Sequence, residues 1–581
     1  MPGGRQAATQ AAAVGARPGR RALWWRGFEP AALIWVAAVA VLIFLVLNPM
    51  VRLLIASFQA TDTGAFTTAN YGIAYTARGI AALINSVLYG GAVTLVAALF
   101  ALPIAWAMSR TDMPGKTLVR ALILGAFITP PYLGAVGWIL LAGPNAGWLN
   151  RTWMAVTGAT SGLFDIYSFA GLVFVTALYG FPYIFVFTAD ALDLVGTEME
   201  DAARILGSGP LRVACRVTLP LVAPAILGGA IITFLDTMAL FGTPAIIALP
   251  ARINVMTLQL WQFFEVPVRA EAAAAYAIPL VLITCLLFGA QRLLLGARGY
   301  VTLTGKGGSR TPIAAGPWGW VLLGYALLIC TLAVFLPFGA LAQAAFSTAW
   351  GRGFSLANLT LSNFTYLLVK QSNAQQTILH SFTYSATAAT LAVAVALVIA
   401  YAVGRRLVPF GQALSILCAS PFVIPGIVLA IGFYAAYAAP PFALYGSAAI
   451  LILAFATRFL PIAYVNCQAA LRAINPELEE AVRILGGSRL AAITGVVAPL
   501  LKKSLAGAWL LVFIPATREL STAIFLVGAK TRVIAVMLLD LSEDGSFEIL
   551  AALGLILLVA TIMIAFTGYK LIGRDVLLAR R

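Results

Sequence analysis

The chain has 581 residues, of which 61% are hydrophobic and only 10% are charged. A soluble globular domain carries about 25% charged residues, so the composition excludes an ordinary soluble protein and predicts a polytopic membrane protein. The formal net charge is +16, but the lysines and arginines lie in short loops between apolar runs, which indicates membrane topology and not nucleic-acid binding. The five cysteines have no paired spacing, which argues against a disulfide framework or a zinc site.

The apolar runs, taken in chain order, predict about 12 transmembrane helices. The first run, 31–55, exceeds the about 7–15 residues of a signal-peptide core, so we interpret it as an uncleaved span. Each later run is close to the ~20 residues that a helix needs to cross hydrocarbon. These runs lie near 83–108, 118–142, 169–189, 221–249 and 273–295, and then near 318–345, 377–404, 412–436, 446–468, 503–528 and 548–573. The pattern predicts an all-α membrane protein of two homologous six-helix halves.

Composition shifts place the boundaries of these halves. The predicted organisation is a disordered basic tail (1–30), a first transmembrane domain (31–295), a Gly- and Pro-rich linker (296–317), a second transmembrane domain (318–574) and a basic tail (575–581). Lysine and arginine concentrate in the loops on the side that carries both chain ends. The positive-inside rule therefore predicts that both termini are cytoplasmic.

Two polar loops, 190–220 and 469–499, interrupt the apolar runs and repeat each other. Residues 198–221 read EMEDAARILGSGPLRVACRVTLPL, and residues 477–500 read ELEEAVRILGGSRLAAITGVVAPL, at a constant offset of 486 − 207 = 279. A fixed internal spacing indicates a duplicated unit. Carboxylates in a first helical turn suit the positive end of the helix dipole, and a glycine stops the helix. The first loop thus predicts a short helix that ends at Gly207, a turn, and a second, basic helix that ends near Pro220.

These loops carry a family resemblance. Asp201-Ala202-Ala203, Gly207 and Val217-Thr218-Leu219-Pro220 resemble the EAA signature of ABC importer permeases, and Glu480-Ala481-Val482, Gly486 and Pro499 repeat it more loosely. In that family the loop is a coupling helix that docks in a groove of an ATPase subunit. The alternative interpretation is an ordinary amphipathic loop. The residues that the resemblance assigns to ATPase coupling are Glu198, Glu200, Asp201, Ala202, Ala203, Gly207, Pro220, Glu477, Glu479, Glu480, Ala481, Gly486 and Pro499.

The resemblance also implies an environment and partners. It implies the type I ABC importer transmembrane fold in the cytoplasmic (inner) membrane of a bacterium, in contact with membrane lipid. Two copies of an ATPase and a periplasmic or lipid-anchored binding protein are the expected partners, and no nucleic acid is expected.

The chain shows no ATP-binding loop of its own. Pro114-Gly115-Lys116-Thr117 resembles the end of a phosphate-binding loop, but Arg110 stands where the first glycine is needed and no strand precedes the segment. We therefore expect no enzyme activity and no cofactor bound by this chain, with ATP and magnesium used by the separate ATPase. The single histidine, His380, is expected to be a packing or interfacial residue.

Several charged residues fall well inside predicted spans and not at their ends, namely Asp236, Arg458, Arg518 and Glu519. A charge at the bilayer centre costs about 2.5–3.5 kcal/mol, so we expect these residues to face a path between the halves; the alternative is static ion pairs that fix the packing. Prolines also predict breaks near the middle of the third and ninth spans, at Pro131 and Pro425, and in the fifth span at Pro244. Such breaks suggest a midplane pathway, and simple packing kinks are the alternative.

Three short stretches bear on the cargo. Residues 300–306, 421–426 and 518–521 resemble fused permeases of the ferric-iron importer group, so ferric iron is the expected cargo, although permeases for 2-aminoethylphosphonate, thiamine or polyamines look similar. Two other classes share part of the pattern. An ion-coupled secondary transporter has no use for the coupling loops, and a channel or translocase component should lack the twofold repeat.

Overall fold

The computed structural model describes residues 31–194, 198–296, 312–408 and 410–572. This described part is helical, with isolated bridges and no β-strand. Ten of its helices are long and apolar enough to cross a membrane, and two bent helix pairs bring the number to 12 if each pair is one span. The prediction of an all-α polytopic protein is therefore confirmed. The predicted tails, 1–30 and 575–581, and most of the linker lie outside the described residues.

The helices fall into two matching series. The first half has Val36–Ser57, Ala77–Arg110, the pair Lys116–Ile128 and Pro131–Ala142, Phe169–Leu194, Ala214–Ala239 and Ala270–Gly296. The second half has Trp318–Ala345, Ser372–Gly404, the pair Gly411–Phe422 and Gly426–Tyr437, Ala448–Arg472, Ile493–Thr517 and Phe547–Ile572. Shorter helices that the site does not use include Ala69–Ala74, Met256–Gln262 and Ile534–Glu543.

The offset between the halves changes along the chain. It is 426 − 131 = 295 at the second helix of each bent pair and 448 − 169 = 279 at the next span. The difference, 295 − 279 = 16 residues, falls in the first half, where the extra helix Trp148–Thr157 lies. The halves are therefore one fold with a local insertion.

Both predicted mid-span breaks are confirmed. The helix pairs bend by 100° after Ile128 and by 111° after Phe422. Pro130 and Pro425 cap the second helix of each pair in extended conformations, with ψ of 126° and 142°. Since a proline disfavours helical geometry in the residue before it and donates no hydrogen bond, the chain turns there. By the 295 offset Pro130 corresponds to Pro425, and the predicted Pro131 is the first residue of the helix that follows the break.

The fifth and eleventh predicted spans also end early, which corrects one prediction. The sequence predicts Arg518 and Glu519 in mid-span, but the helix ends at Thr517 and a separate short helix follows at Ala523–Leu526. The Arg518 N–H bonds to the Pro515 carbonyl at 3.3 Å, which closes the helix with a tight turn. The first half breaks at the equivalent place, between Ala239 and Pro244, as the sequence predicts.

The first span of each half packs against a helix of the other half. Asn48–Ser57 packs on Gly426–Tyr437, and Leu336–Ala345 packs on Pro131–Ala142. At both crossings a glycine admits a proline, since a Cβ added to Gly137 would lie 2.6 Å from the Pro337 Cβ and one added to Gly432 would lie 2.8 Å from the Pro49 carbonyl oxygen. Small residues of this kind let helix backbones approach closely in membranes. The exchanged spans thus interlock the halves.

We expect Gly137→Leu to destabilise the assembled halves by about 1–3 kcal/mol, the usual cost of forcing extra methylenes into a packed contact. Thermal unfolding of the detergent-purified protein measures the effect. Gly324→Leu is the matched control, because nothing lies within 4 Å of a Cβ at Gly324. Equal unfolding temperatures for the two variants would contradict the interlock.

Candidate coupling surface and pathway charges

The two short helices predicted in the polar loops are present as Glu198–Ile205 and Glu477–Ile484, here called the coupling helices. Gly207 and Gly486 follow them with φ of +80° and +84°. Ser208 N–H bonds to the Ala203 carbonyl at 3.0 Å, and Gly487 N–H bonds to the Val482 carbonyl at 2.9 Å. This bond pattern around a left-handed residue is a Schellman cap. The predicted termination by glycine is confirmed at both sites.

Two details of the predicted loops are wrong. The preceding spans continue to Leu194 and Arg472, so the loops begin later than 190 and 469. The second helix of the first loop does not end near Pro220 but runs on into the membrane helix. A π turn just before the proline, in which Leu219 N–H bonds to the Ala214 carbonyl, lets the helix pass it.

Glu200 holds the first coupling helix onto its own half. Its Oε1 lies 3.0 Å from Arg110 Nε, and both side chains are 2% exposed. The Thr218 hydroxyl donates to the same oxygen at 2.8 Å. Arg110 is the last residue of helix Ala77–Arg110, so this ion pair, the first clasp, ties the coupling helix to the end of a membrane span.

Glu479 does the same in the second half. It accepts hydrogen bonds from the Tyr401 hydroxyl at 2.6 Å and from Arg405 Nε and Nη2 at 2.9 and 2.6 Å. This ion pair is the second clasp. Arg405 corresponds to Arg110 by the 295 offset and Glu479 to Glu200 by the 279 offset. The two glutamates therefore contact their own chain, and sequence reasoning missed both arginines, although each is a basic residue near the end of a repeated span.

The exposed face of the coupling helices is apolar at its tip. Ile205 and Leu206 are 86% and 85% exposed, and their equivalents Ile484 and Leu485 are 84% and 87% exposed. Of the predicted coupling residues, Asp201 and Ala203 are half-buried and the Glu198 side chain lies outside the described part. The exposed ones are Ala202, Gly207, Pro220, Glu477, Glu480, Ala481, Gly486 and Pro499. The same two apolar residues, an isoleucine and a leucine, are thus exposed at the C-terminal tip of both coupling helices.

The predicted intramembrane arginines bond to the broken helices. Arg458 Nη1 donates to the Ile424 carbonyl at 2.6 Å and to the Pro421 carbonyl at 3.4 Å. Arg518 Nη1 donates to the carbonyls of Ile128 and Phe127. These carbonyls belong to the two breaks, where backbone groups inside a membrane must find partners. Because Arg518 belongs to the second half and Ile128 to the first, this arginine bridges the halves.

The two carboxylates among the four predicted charges differ in their hydrogen bonding. Glu519 Oε1 accepts bonds from the Thr522 amide and hydroxyl at 3.0 and 3.1 Å. Asp236 is exposed and has no hydrogen bond or ion pair with any described residue, yet it lies within electrostatic range of Arg458, Arg518 and Glu519. The structure thus brings all four predicted charges near one another. Pro425 borders this cluster through Gly426, whose added Cβ would lie 3.2 Å from Glu519 Oε1.

Comparisons with known proteins agree with this architecture. Residues 72–297 match the family described as binding-protein-dependent transport system inner membrane component. The ferric transport system permease protein FbpB of Actinobacillus pleuropneumoniae is 27% identical, covering 90% of this chain and 76% of that protein. A Haloferax volcanii protein named probable molybdenum ABC transporter permease is 30% identical, covering 35% and 70%. The molybdenum transport system permease protein ModB of Escherichia coli K12 is 28% identical, covering 33% and 85%.

Proposed function

Because this chain belongs to the family of inner membrane components of binding-protein-dependent transport systems and is the permease subunit of an ABC importer, we propose that it carries ferric iron. Its two fused halves form a multi-pass membrane protein. The family implies an ATPase and a substrate-binding protein as partners. In our proposal one ATPase copy docks on each coupling helix, on the face that also carries both chain termini in the cytoplasm.

The observation that carries the iron proposal is the hydrogen bonding of the four charges predicted inside the spans. The two arginines are already bonded to backbone carbonyls of the breaks, whereas the Asp236 carboxylate is exposed and makes no hydrogen bond or ion pair with a described residue. Acidic side chains select cations along membrane pathways, and free basic ones select anions. Among these four charges, the one that makes no hydrogen bond with a described residue is a carboxylate, which favours a cation over an oxyanion such as molybdate.

The relatives support the same cargo. The ferric permease aligns with both halves of this chain, while the molybdenum permeases cover about a third of it. Importers for 2-aminoethylphosphonate, thiamine or polyamines would use the same machinery, and of these only the cationic cargoes fit the exposed carboxylate. The exposed coupling helices favour this class over an ion-coupled secondary transporter.

We expect Asp236→Asn to lower iron uptake about tenfold, the effect of losing one charged contact of about 1.4 kcal/mol. The measurement is ATP-dependent uptake of ferric iron and, separately, molybdate into proteoliposomes that hold the complete importer and its loaded binding protein. Asp190→Asn is the control, since Asp190 is also exposed but lies near the loop end of helix Phe169–Leu194.

The outcomes separate the two parts of the proposal. Uptake of molybdate without iron by the native importer would overturn the cargo. Native iron uptake by Asp236→Asn, with the Asp190→Asn control unchanged, would remove Asp236 from the pathway and leave the importer intact.

A further inference from the structure

A small cavity of about 230 Å³ lies beside the second clasp. It sits where helices Ser372–Gly404 and Ala448–Arg472 end, close to the second coupling helix. Its polar lining is basic and consists of Tyr401, Arg405, Arg406, Gln468 and Arg472. The second clasp already uses Arg405 and Tyr401 through Glu479. The Gln468 amide already donates one N–H to the Tyr464 hydroxyl at 3.3 Å, so the groups left for a ligand are Arg406, Arg472 and the second N–H of that amide.

Because the chain is duplicated, the residues that line this cavity can be compared with their equivalents in the first half. By the two offsets the first half has Thr111 in place of Arg406, Ala189 in place of Gln468 and Asp193 in place of Arg472. The clasp itself, an arginine on a glutamate, is kept in both halves. The extra basic groups thus belong to the second half alone, and neither the fold nor the clasp requires them.

Arg406 occupies a backbone position that disfavours an arginine. Its φ is +52°, and Leu407 N–H bonds to the Ala402 carbonyl at 2.8 Å, so Arg406 stands where a helix cap usually has glycine or asparagine. Strained residues of this kind cluster at ligand sites. Since glycine would give the same turn with less strain, the backbone conformation does not by itself call for an arginine here.

Arg406 and Arg472 are both exposed to the cavity side of the turn and make no hydrogen bond or ion pair with any described residue. Two free guanidinium groups can form several charge-assisted, forked hydrogen bonds to one tetrahedral oxyanion. We propose that this cavity binds a phosphate group, held by Arg406 and Arg472, with Gln468 as a neutral donor. The phosphate comes either from a soluble ion or from the headgroup of an anionic lipid.

The site lies next to the arginine that anchors the second coupling helix, so a bound ligand would affect that helix. Arg406 directly follows Arg405, and Arg405 anchors Glu479 of the second coupling helix. A bound phosphate therefore fixes the strained turn that holds one coupling helix and leaves the other untouched. This inference is independent of the cargo, because it concerns neither Asp236 nor the other charges predicted inside the spans.

The test uses the full-length chain purified with its ATPase. The double variant Arg406→Asn/Arg472→Gln removes both charges, and asparagine tolerates the left-handed backbone. Arg472→Gln alone, at an exposed helix end, serves if the double variant does not fold. Lys503→Gln is the control, because it removes one exposed positive charge from another helix of the same half.

Two arms distinguish the sources of the phosphate. In the first, inorganic phosphate or pyrophosphate is titrated and the melting temperature is followed. In the second, phosphatidylglycerol retained from mixed phosphatidylglycerol and phosphatidylcholine nanodiscs is counted by native mass spectrometry. We expect about tenfold weaker binding by the double variant than by Lys503→Gln in at least one arm. A loss in the first arm assigns a soluble phosphate and a loss in the second a lipid headgroup; no difference from Lys503→Gln in both arms overturns the site.

Discussion

Replacing Leu206 and Leu485 with aspartate is expected to abolish stable binding of the ATPase subunits. Both leucines are exposed at the tip of a coupling helix, and burying one such side chain contributes about 1.5–3 kcal/mol. Losing that burial weakens each contact about ten- to a hundredfold, and desolvating an unpaired carboxylate weakens it further. Co-purification of the ATPase with tagged permease, together with ATPase activity stimulated by the loaded binding protein, measures the effect.

The control for this surface is Val156→Asp, since Val156 is 80% exposed on helix Trp148–Thr157, away from both coupling helices. The single variants add a further test, because each should retain one ATPase copy at most if each helix docks one. Native stoichiometry and stimulation in the double variant would show that the ATPase binds elsewhere on the chain.

The sequence predicts much of this fold for two reasons. Crossing the membrane requires apolar runs of a characteristic length, and the duplication repeats the same pattern of runs and loops along one chain. Apolar length alone gives the spans, and Gly207 and Gly486 end the coupling helices as predicted. The repeated loops predict a single offset of 279, whereas the offset at the bent pairs is 295, because the first half carries the inserted helix Trp148–Thr157. Without that offset Pro130 could not be matched with Pro425, nor Arg110 with Arg405.

Which face of a short helix is buried is harder to predict than whether the helix forms. In the coupling helices acidic and apolar residues alternate, and composition favours carboxylates outside and leucines inside. The structure reverses this at Glu200, which is buried on Arg110, and at Leu206, which is exposed. The reversal follows from tertiary partners that lie about 90 residues away in the chain, 200 − 110 = 90, which a local pattern cannot contain.

The first clasp is buried, and breaking it is expected to have a large effect on stability. Glu200→Gln is expected to destabilise the protein by about 3–5 kcal/mol, the usual loss when one partner of a buried ion pair is removed, because the Arg110 charge then stays buried without the carboxylate that neutralises it. Glu479→Gln should cost less, since the Arg405 and Glu479 side chains are 17% and 10% exposed, against 2% for each partner of the first clasp. Thermal unfolding of the purified protein and ATP-dependent uptake in proteoliposomes measure the two variants.

A double substitution separates charge burial from docking. Adding Arg110→Met to Glu200→Gln removes both charges from the first clasp, so stability should return close to native, as it does when a buried ion pair is replaced by apolar groups. If Glu200 instead contacted the ATPase, the double variant would remain defective in ATPase binding even though its unfolding temperature recovered. Uptake that recovers together with stability assigns Glu200 to the anchor of the coupling helix, so that transmission of the ATPase stroke rests on the exposed apolar tip.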